Sequence, residues 1–193
     1  EVLDDTGVVR ENGTVEAVQI KSAISERNPV SDRAVDLWKT LYNWLMAVMV
    51  DELQVENTKF RMFITVDKTG DIVSSFSEVE NEEDAEKAWE LARKKFYDEN
   101  DAERDIKGAY ATYVRTFFSS ENRAKAIKII KNFKLETCEQ TYSETVREKL
   151  KTYIGHDDLF EVLYKGLLGW ADTVVAECVE NHKPIVVEWE VKV

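Results

Sequence analysis

Val15-Glu16-Ala17-Val18-Gln19-Ile20-Lys21-Ser22, preceded in the chain by Asp4-Asp5, is the stretch that decides the fold. Val8-Val9 leads into Arg10-Glu11-Asn12-Gly13-Thr14, and Asn12-Gly13 supplies the positive φ angles that a tight hairpin turn needs. Val15 to Ile20 then continues as the second strand. Side chains alternate along a strand, so Gln19 and Lys21 share one face, while Val18 and Ile20 take the other, the expected core face. Pairing back across the turn brings the Asp4-Asp5 end of the first strand opposite the Gln19 to Lys21 end of the second, whichever of two registers holds.

This pairing predicts a carboxylate, an amide and a lysine at one strand edge. A carboxylate is a hard oxygen ligand for Mg²⁺, an ion that also takes waters and phosphate oxygens. Such an ion activates water, and Lys21 can orient that water or stabilise charge developing on a phosphate. Phosphodiester hydrolysis fits these parts. The plainer alternative is a Gln-x-Lys on a solvated sheet face and an Asp-Asp that only forms a turn.

Moving outward, Asn28-Pro29 breaks the chain, and a helix follows with Ser31 or Asp32 as its cap. Ala34, Leu37, Trp38, Leu41, Leu45 and Val48 recur at three- and four-residue spacing through about Val50. Phe60 to Val66 reads as a buried strand closed by a turn at Lys68-Thr69-Gly70-Asp71. Asn81 caps the next helix, with acids in its first turn and Lys94 and Lys95 in its last. From Asp101 the chain is expected to be mainly helical, with a short strand at Phe133-Lys134-Leu135. Its longest helix starts at Asp157 or Asp158 and ends at Asn181, with Leu159, Val162, Leu163, Leu167, Trp170, Val174 and Cys178 facing inward. Trp38, Trp44 and Trp89 also read as core residues. The expected architecture is α/β (α+β): a mixed sheet flanked by helices over residues 1–100 and a mainly helical half over 101–193.

At 193 residues the chain is long enough for a real core, and 44% apolar with 33% charged residues is ordinary for a globular protein. No apolar run is long enough to cross a bilayer and the start lacks a signal-peptide layout, so a cytoplasmic protein without a membrane partner is expected. The first residue is Glu1 and the last stretch, Val187 to Val193, reads as strand, which suggests a piece of a longer polypeptide. Cys138 and Cys178 are far apart with no metal spacing, and neither His156 nor His182 has partners at ligand spacing. No phosphate-binding glycine loop or nucleophile elbow occurs. The net charge of −12 opposes binding to phosphates, but Arg123, Lys125, Lys128, Lys131 and Lys134 form a basic run without an acid. That run, with Arg33 and Lys39 on the first helix, is the candidate contact surface for DNA.

An acid, a short strand, a turn and then an acid or glutamine two residues before a lysine resembles the active-site layout of the PD-(D/E)XK, or restriction-endonuclease-like, nuclease superfamily. Glu1 to Asp5, Gln19 to Ser22, and above all Asn28 to Thr40, are similar to the double-stranded DNA nuclease domains at the N-terminus of bacterial antiphage defence proteins. Ile129 to Glu136 and Leu167 to Trp170 extend the likeness. The resemblance implies a Mg²⁺- or Mn²⁺-dependent DNA endonuclease, the effector module of a defence protein whose other domains activate or oligomerise it. Asp5 then corresponds to the first metal ligand with Asp4 as competitor, Lys21 to the catalytic lysine, and Gln19 to the second acid. Gln19 carries no charge, Thr6-Gly7 interrupts the apolar part of the first strand, and the helix that usually precedes that strand is not in this sequence. The same features leave open a catalytically inactive nuclease fold used for DNA or protein binding and assembly.

Overall fold

The structure, a computed structural model, describes residues 6–9, 13–21, 28–65, 67–137, 147–148, 150–151 and 157–180, with backbone only at 6–9, 157–159, 172 and 174–180. Contacts divide the chain into two compact units, Glu1–Glu139 and Gln140–Val193.

The first unit is built on a four-stranded mixed sheet in the order β1-β2-β3-β4. The strands are β1 (Thr6–Val9), β2 (Val15–Lys21), β3 (Thr58–Ile64) and β4 (Phe133–Thr137). β1 and β2 form the hairpin, antiparallel from Thr6↔Val18 to Val9↔Val15, and Gly13 takes φ 77° in its turn. β2 pairs in parallel with β3 and β3 in parallel with β4, so each of these connections carries helices. α1 (Val35–Met49) joins β2 to β3. α2 (Asp71–Ser77), α3 (Glu82–Lys94), α4 (Ala111–Phe117) and α5 (Arg123–Lys131) lie between β3 and β4. These bounds reproduce the expected hairpin, first helix, buried strand, Asn81 helix and final short strand. An α/β architecture is therefore established.

The core lies between the helices and one sheet face. Trp44 of α1 stands 5.2 Å from Phe60 and 6.1 Å from Phe133, setting that helix over β3 and β4. Trp38, earlier on the same helix, packs against Phe96, Phe118 and Phe117 at 5.2, 5.4 and 5.9 Å. Aromatic pairs of this kind each contribute about 0.5–1.5 kcal/mol beyond the apolar area they bury.

Several local expectations change. α1 begins at Val35 with Ala34 at its N-cap and no side-chain cap, so neither Ser31 nor Asp32 caps it. Asp32 instead reaches across the fold, and its Oδ1 accepts from the backbone N–H of Ile72 at 3.0 Å, in the first turn of α2. The Lys68 to Asp71 turn leads straight into α2, a short helix hidden from periodicity by its seven residues. The first unit runs past Asn100 to Glu139, since β4 completes the sheet and α5 packs against α3.

The second unit contains α6 (Asp157–Glu180). Among its described side chains Phe160 and Tyr164 are buried, stacked at 5.8 Å and faced by the Arg147 guanidinium 5.0 Å from the Tyr164 ring. Four members of the expected inward stripe are corrected: Val162, Leu163, Leu167 and Trp170 are exposed, Trp170 to 47%, while Leu159, Val174 and Cys178 lie outside the described side chains. This helix has apolar residues on nearly every side, so spacing did not single out one face. Among the described residues no helix is long and apolar enough to cross a membrane.

Candidate functional site

Parallel strands end on the same side of a sheet, and there the chain leaves the ladder and side chains from successive loops converge. β2 and β3 end in this way, with Lys21 beside Ile64 and the Lys21 carbonyl accepting from Thr65 N at 3.2 Å. Gln19 lies two residues back on the same face, beside Met62. The described part of the hairpin ladder stops at Thr6↔Val18, one position from Gln19. Asp4 and Asp5 lie outside the described residues.

Gln19 and Lys21 do share a face, but the core lies on that same side. Gln19 is 5% exposed, in line with Ala17, Phe60, Met62 and Ile64, all fully buried. Ile20, on the face expected to be core, is 42% exposed. The reason is in the neighbours: β3 places Phe60, Met62 and Ile64 on the Gln19 side, and register forces β2 to match. Lys21 is half-buried at the strand end.

As a metal site, the described part of this arrangement offers the neutral amide oxygen of Gln19. Among the described residues no group of three or more His, Cys, Asp or Glu is arranged to hold an ion. A divalent cation held by one or two carboxylates with waters and phosphate oxygens would need its carboxylate charge from outside the described residues, where Asp4 and Asp5 lie.

A second polar group surrounds the loop that leaves β3. Asn28 Nδ2 donates to the Thr69 carbonyl at 2.7 Å, while its Oδ1 accepts from Val30 N at 3.0 Å. A Cβ at Gly70 would collide with the Val30 carbonyl oxygen, so glycine is required for the two loops to touch. Lys95 Nζ lies 2.5 Å from Asp32 Oδ2 and 2.8 Å from Asp71 Oδ2. Burial works against the Lys95 charge, but its two hydrogen-bonded carboxylates outweigh this and raise its pKa. The same bond to Lys95 holds the Asp71 carboxyl below the usual aspartate range. This network ties the first turn of α2 to the loop before α1. Reading Lys95 only as a helix C-terminal cation missed it.

The residues expected at DNA are placed less simply. Arg33 is exposed but engaged, donating to the Asp105 carbonyl at 2.9 Å and pairing with its carboxylate at 3.1 Å. Lys39 is exposed on α1. Arg123 pairs with Glu86 and Glu90, Lys128 with Glu56 and Lys131 with Glu82. Lys134 donates to the carbonyls of Ser77 and Val79. Three cations of the basic run, Arg123, Lys128 and Lys131, are thus matched by acids. Lys125 is the cation of α5 with no ion pair seen among the described residues.

The other sheet face carries a cluster that the sequence did not signal. Arg61 pairs with Glu136 and lies 3.6 Å from Glu16, which is only 7% exposed. Alternation puts the three on one face, but only the parallel register makes them neighbours.

Set beside protein-family models, curated proteins and solved structures, the chain matches none.

Proposed function

We propose that this chain is a restriction-endonuclease-like domain that hydrolyses phosphodiester bonds in duplex DNA with Mg²⁺ or Mn²⁺, as the effector module of a bacterial antiphage defence protein with further domains. The observation that carries the reading is the hairpin, helix and parallel strand in that order, with Gln19 and Lys21 on one face where β2 ends. In this reading the pairing across the Asn-Gly turn, as expected from the sequence, brings the Asp4-Asp5 end of the first strand opposite the Gln19 to Lys21 end of the second. In this reading Asp5, with Asp4 as competitor, holds the ion and Gln19 adds a neutral oxygen. The ion supplies charge neutralisation at the phosphate and a more acidic water. Lys21 positions the attacking water and stabilises charge on the phosphoryl oxygens, a role suited to a half-buried cation at a strand end. Arg33 and Lys39 are the contacts proposed for the DNA backbone.

Burial of Gln19 in the core layer favours a second reading, a nuclease fold without catalysis that serves in binding and assembly, with homo-oligomers as one use. Calorimetric titration with Mg²⁺ and Mn²⁺ separates the two. The enzyme reading expects binding in the wild type that Asp5→Ala abolishes. Absence of binding in both, and in Gln19→Glu, supports the scaffold and sinks the enzyme.

A further inference from the structure

Taken alone, the cations of α5 make a ridge suited to backbone phosphates, yet in this fold carboxylates stand where phosphates would. Arg123 Nη2 lies 2.5 Å from Glu86 Oε1 and 3.2 Å from Glu90 Oε1. Lys131 Nζ lies 3.5 Å from Glu82 and Lys128 Nζ 2.6 Å from Glu56. Glu82, Glu86 and Glu90 recur every fourth residue, so they form a row on one side of α3 with a spacing of about 6 Å. α5 itself contains no acid. The two helices pack through buried residues, including Ala88 and Trp89 of one and Ile127 and Ile130 of the other, while all four carboxylates and their cations stay well exposed at the rim. Exposed ion pairs of this kind stabilise a fold by only about 0–1 kcal/mol, so exchange of a carboxylate for a phosphate costs little.

We propose that the α3 glutamates, with Glu56, act as phosphate mimics that occupy the α5 ridge and hold it closed to nucleic acid. Duplex DNA binds the ridge when these carboxylates are neutralised or displaced. The device reconciles a local basic run with a chain of net charge −12, since carboxylates match three of the four cations of α5, Arg123, Lys128 and Lys131, until the ridge opens. It rests on the DNA-directed reading above, but it concerns a surface other than the Gln19-Lys21 site.

The test is fluorescence anisotropy with a labelled mixed-sequence duplex in EDTA, so that neither metal binding nor cleavage enters. Wild type is compared with Glu56→Gln/Glu82→Gln/Glu86→Gln/Glu90→Gln at about 50 and 200 mM salt. The expected result is at least about tenfold tighter binding by the variant at the lower salt, with a log–log salt slope steeper by about 2 to 4, near 0.9 per phosphate gained. Lys125→Ala/Lys128→Ala/Lys131→Ala in the same background removes the gain. The milder Glu86→Gln/Glu90→Gln pair, which frees Arg123, shifts affinity in the same direction by less and replaces the fourfold variant if that fails to melt cooperatively. A folded variant that binds no more tightly than wild type overturns the proposal. So does a gain that survives loss of the three lysines, because net charge alone then explains it. An inert metal site leaves this readout unchanged, so the two readings fail separately.

Discussion

On one face of β2 a glutamine is 5% exposed, and on the other an isoleucine is 42% exposed. Residue polarity in this strand points the opposite way from its environment. The difference teaches that period-two alternation sorts side chains into two sets without saying which set is inside. The neighbouring strand decides: β3 commits Phe60, Met62 and Ile64 to one layer, and Trp44 of α1 closes over it. A polar side chain retained in that layer is costly unless it bonds. Its position at the end of β2, next to Lys21, is what the proposed site turns to use.

The sharpest way to break this assignment is to truncate adjacent residues of β3. Met62→Ala, on the buried side, is expected to lose about 2–5 kcal/mol in urea unfolding, and Phe63→Ala, on the side of Ile20, clearly less. Equal losses would show that both faces are core. Next in size, Gln19→Glu places a carboxylate in the buried layer and should cost about 1–3 kcal/mol without divalent ions. If the site holds a cation, Mg²⁺ or Mn²⁺ restores the melting temperature, and Asp5→Ala removes the rescue. On the opposite face, Arg61→Met removes one cation from beside the buried Glu16 and should cost about 1–2 kcal/mol, recovered in part by Glu16→Gln. A double-mutant cycle with no coupling would mean that the pair is incidental.

The smallest effect concerns the loop that follows β3. Asp71 is depressed by its hydrogen bond to Lys95, so its contribution to stability is present above the ordinary aspartate pKa and is lost as pH falls through the lowered value. Lys95→Met should flatten that acid-side part of the stability curve, to a slight extent because Asp71 is exposed. A curve unchanged in shape would remove the Asp32-Lys95-Asp71 network from the account.

Much of the fold was legible because its signals are local. Asn12-Gly13 announced the hairpin, and the stripe from Leu37 to Val48 announced α1. Asn81 announced α3, where its Oδ1 accepts from Asp84 N at 3.0 Å. The site was legible only as a pairing of Gln19 with Lys21 on one face. Which face was core depended on β3, some forty residues on, and the Arg61 and Lys95 networks depended on contacts between distant segments. The acid partners of the basic run were hidden for a related reason. Its partners, Glu82, Glu86 and Glu90, lie one helix away in space but more than thirty residues earlier in the chain.

The central claim is tested most directly by incubating supercoiled plasmid with the protein in Mg²⁺ or Mn²⁺ and comparing wild type with Lys21→Ala at matched melting temperature. The account predicts nicked or linear product that requires the metal and falls at least about a hundredfold in the variant, the usual size for loss of one charge-stabilising group. Equal cleavage by both proteins, or no cleavage by the wild type under either metal, would contradict it.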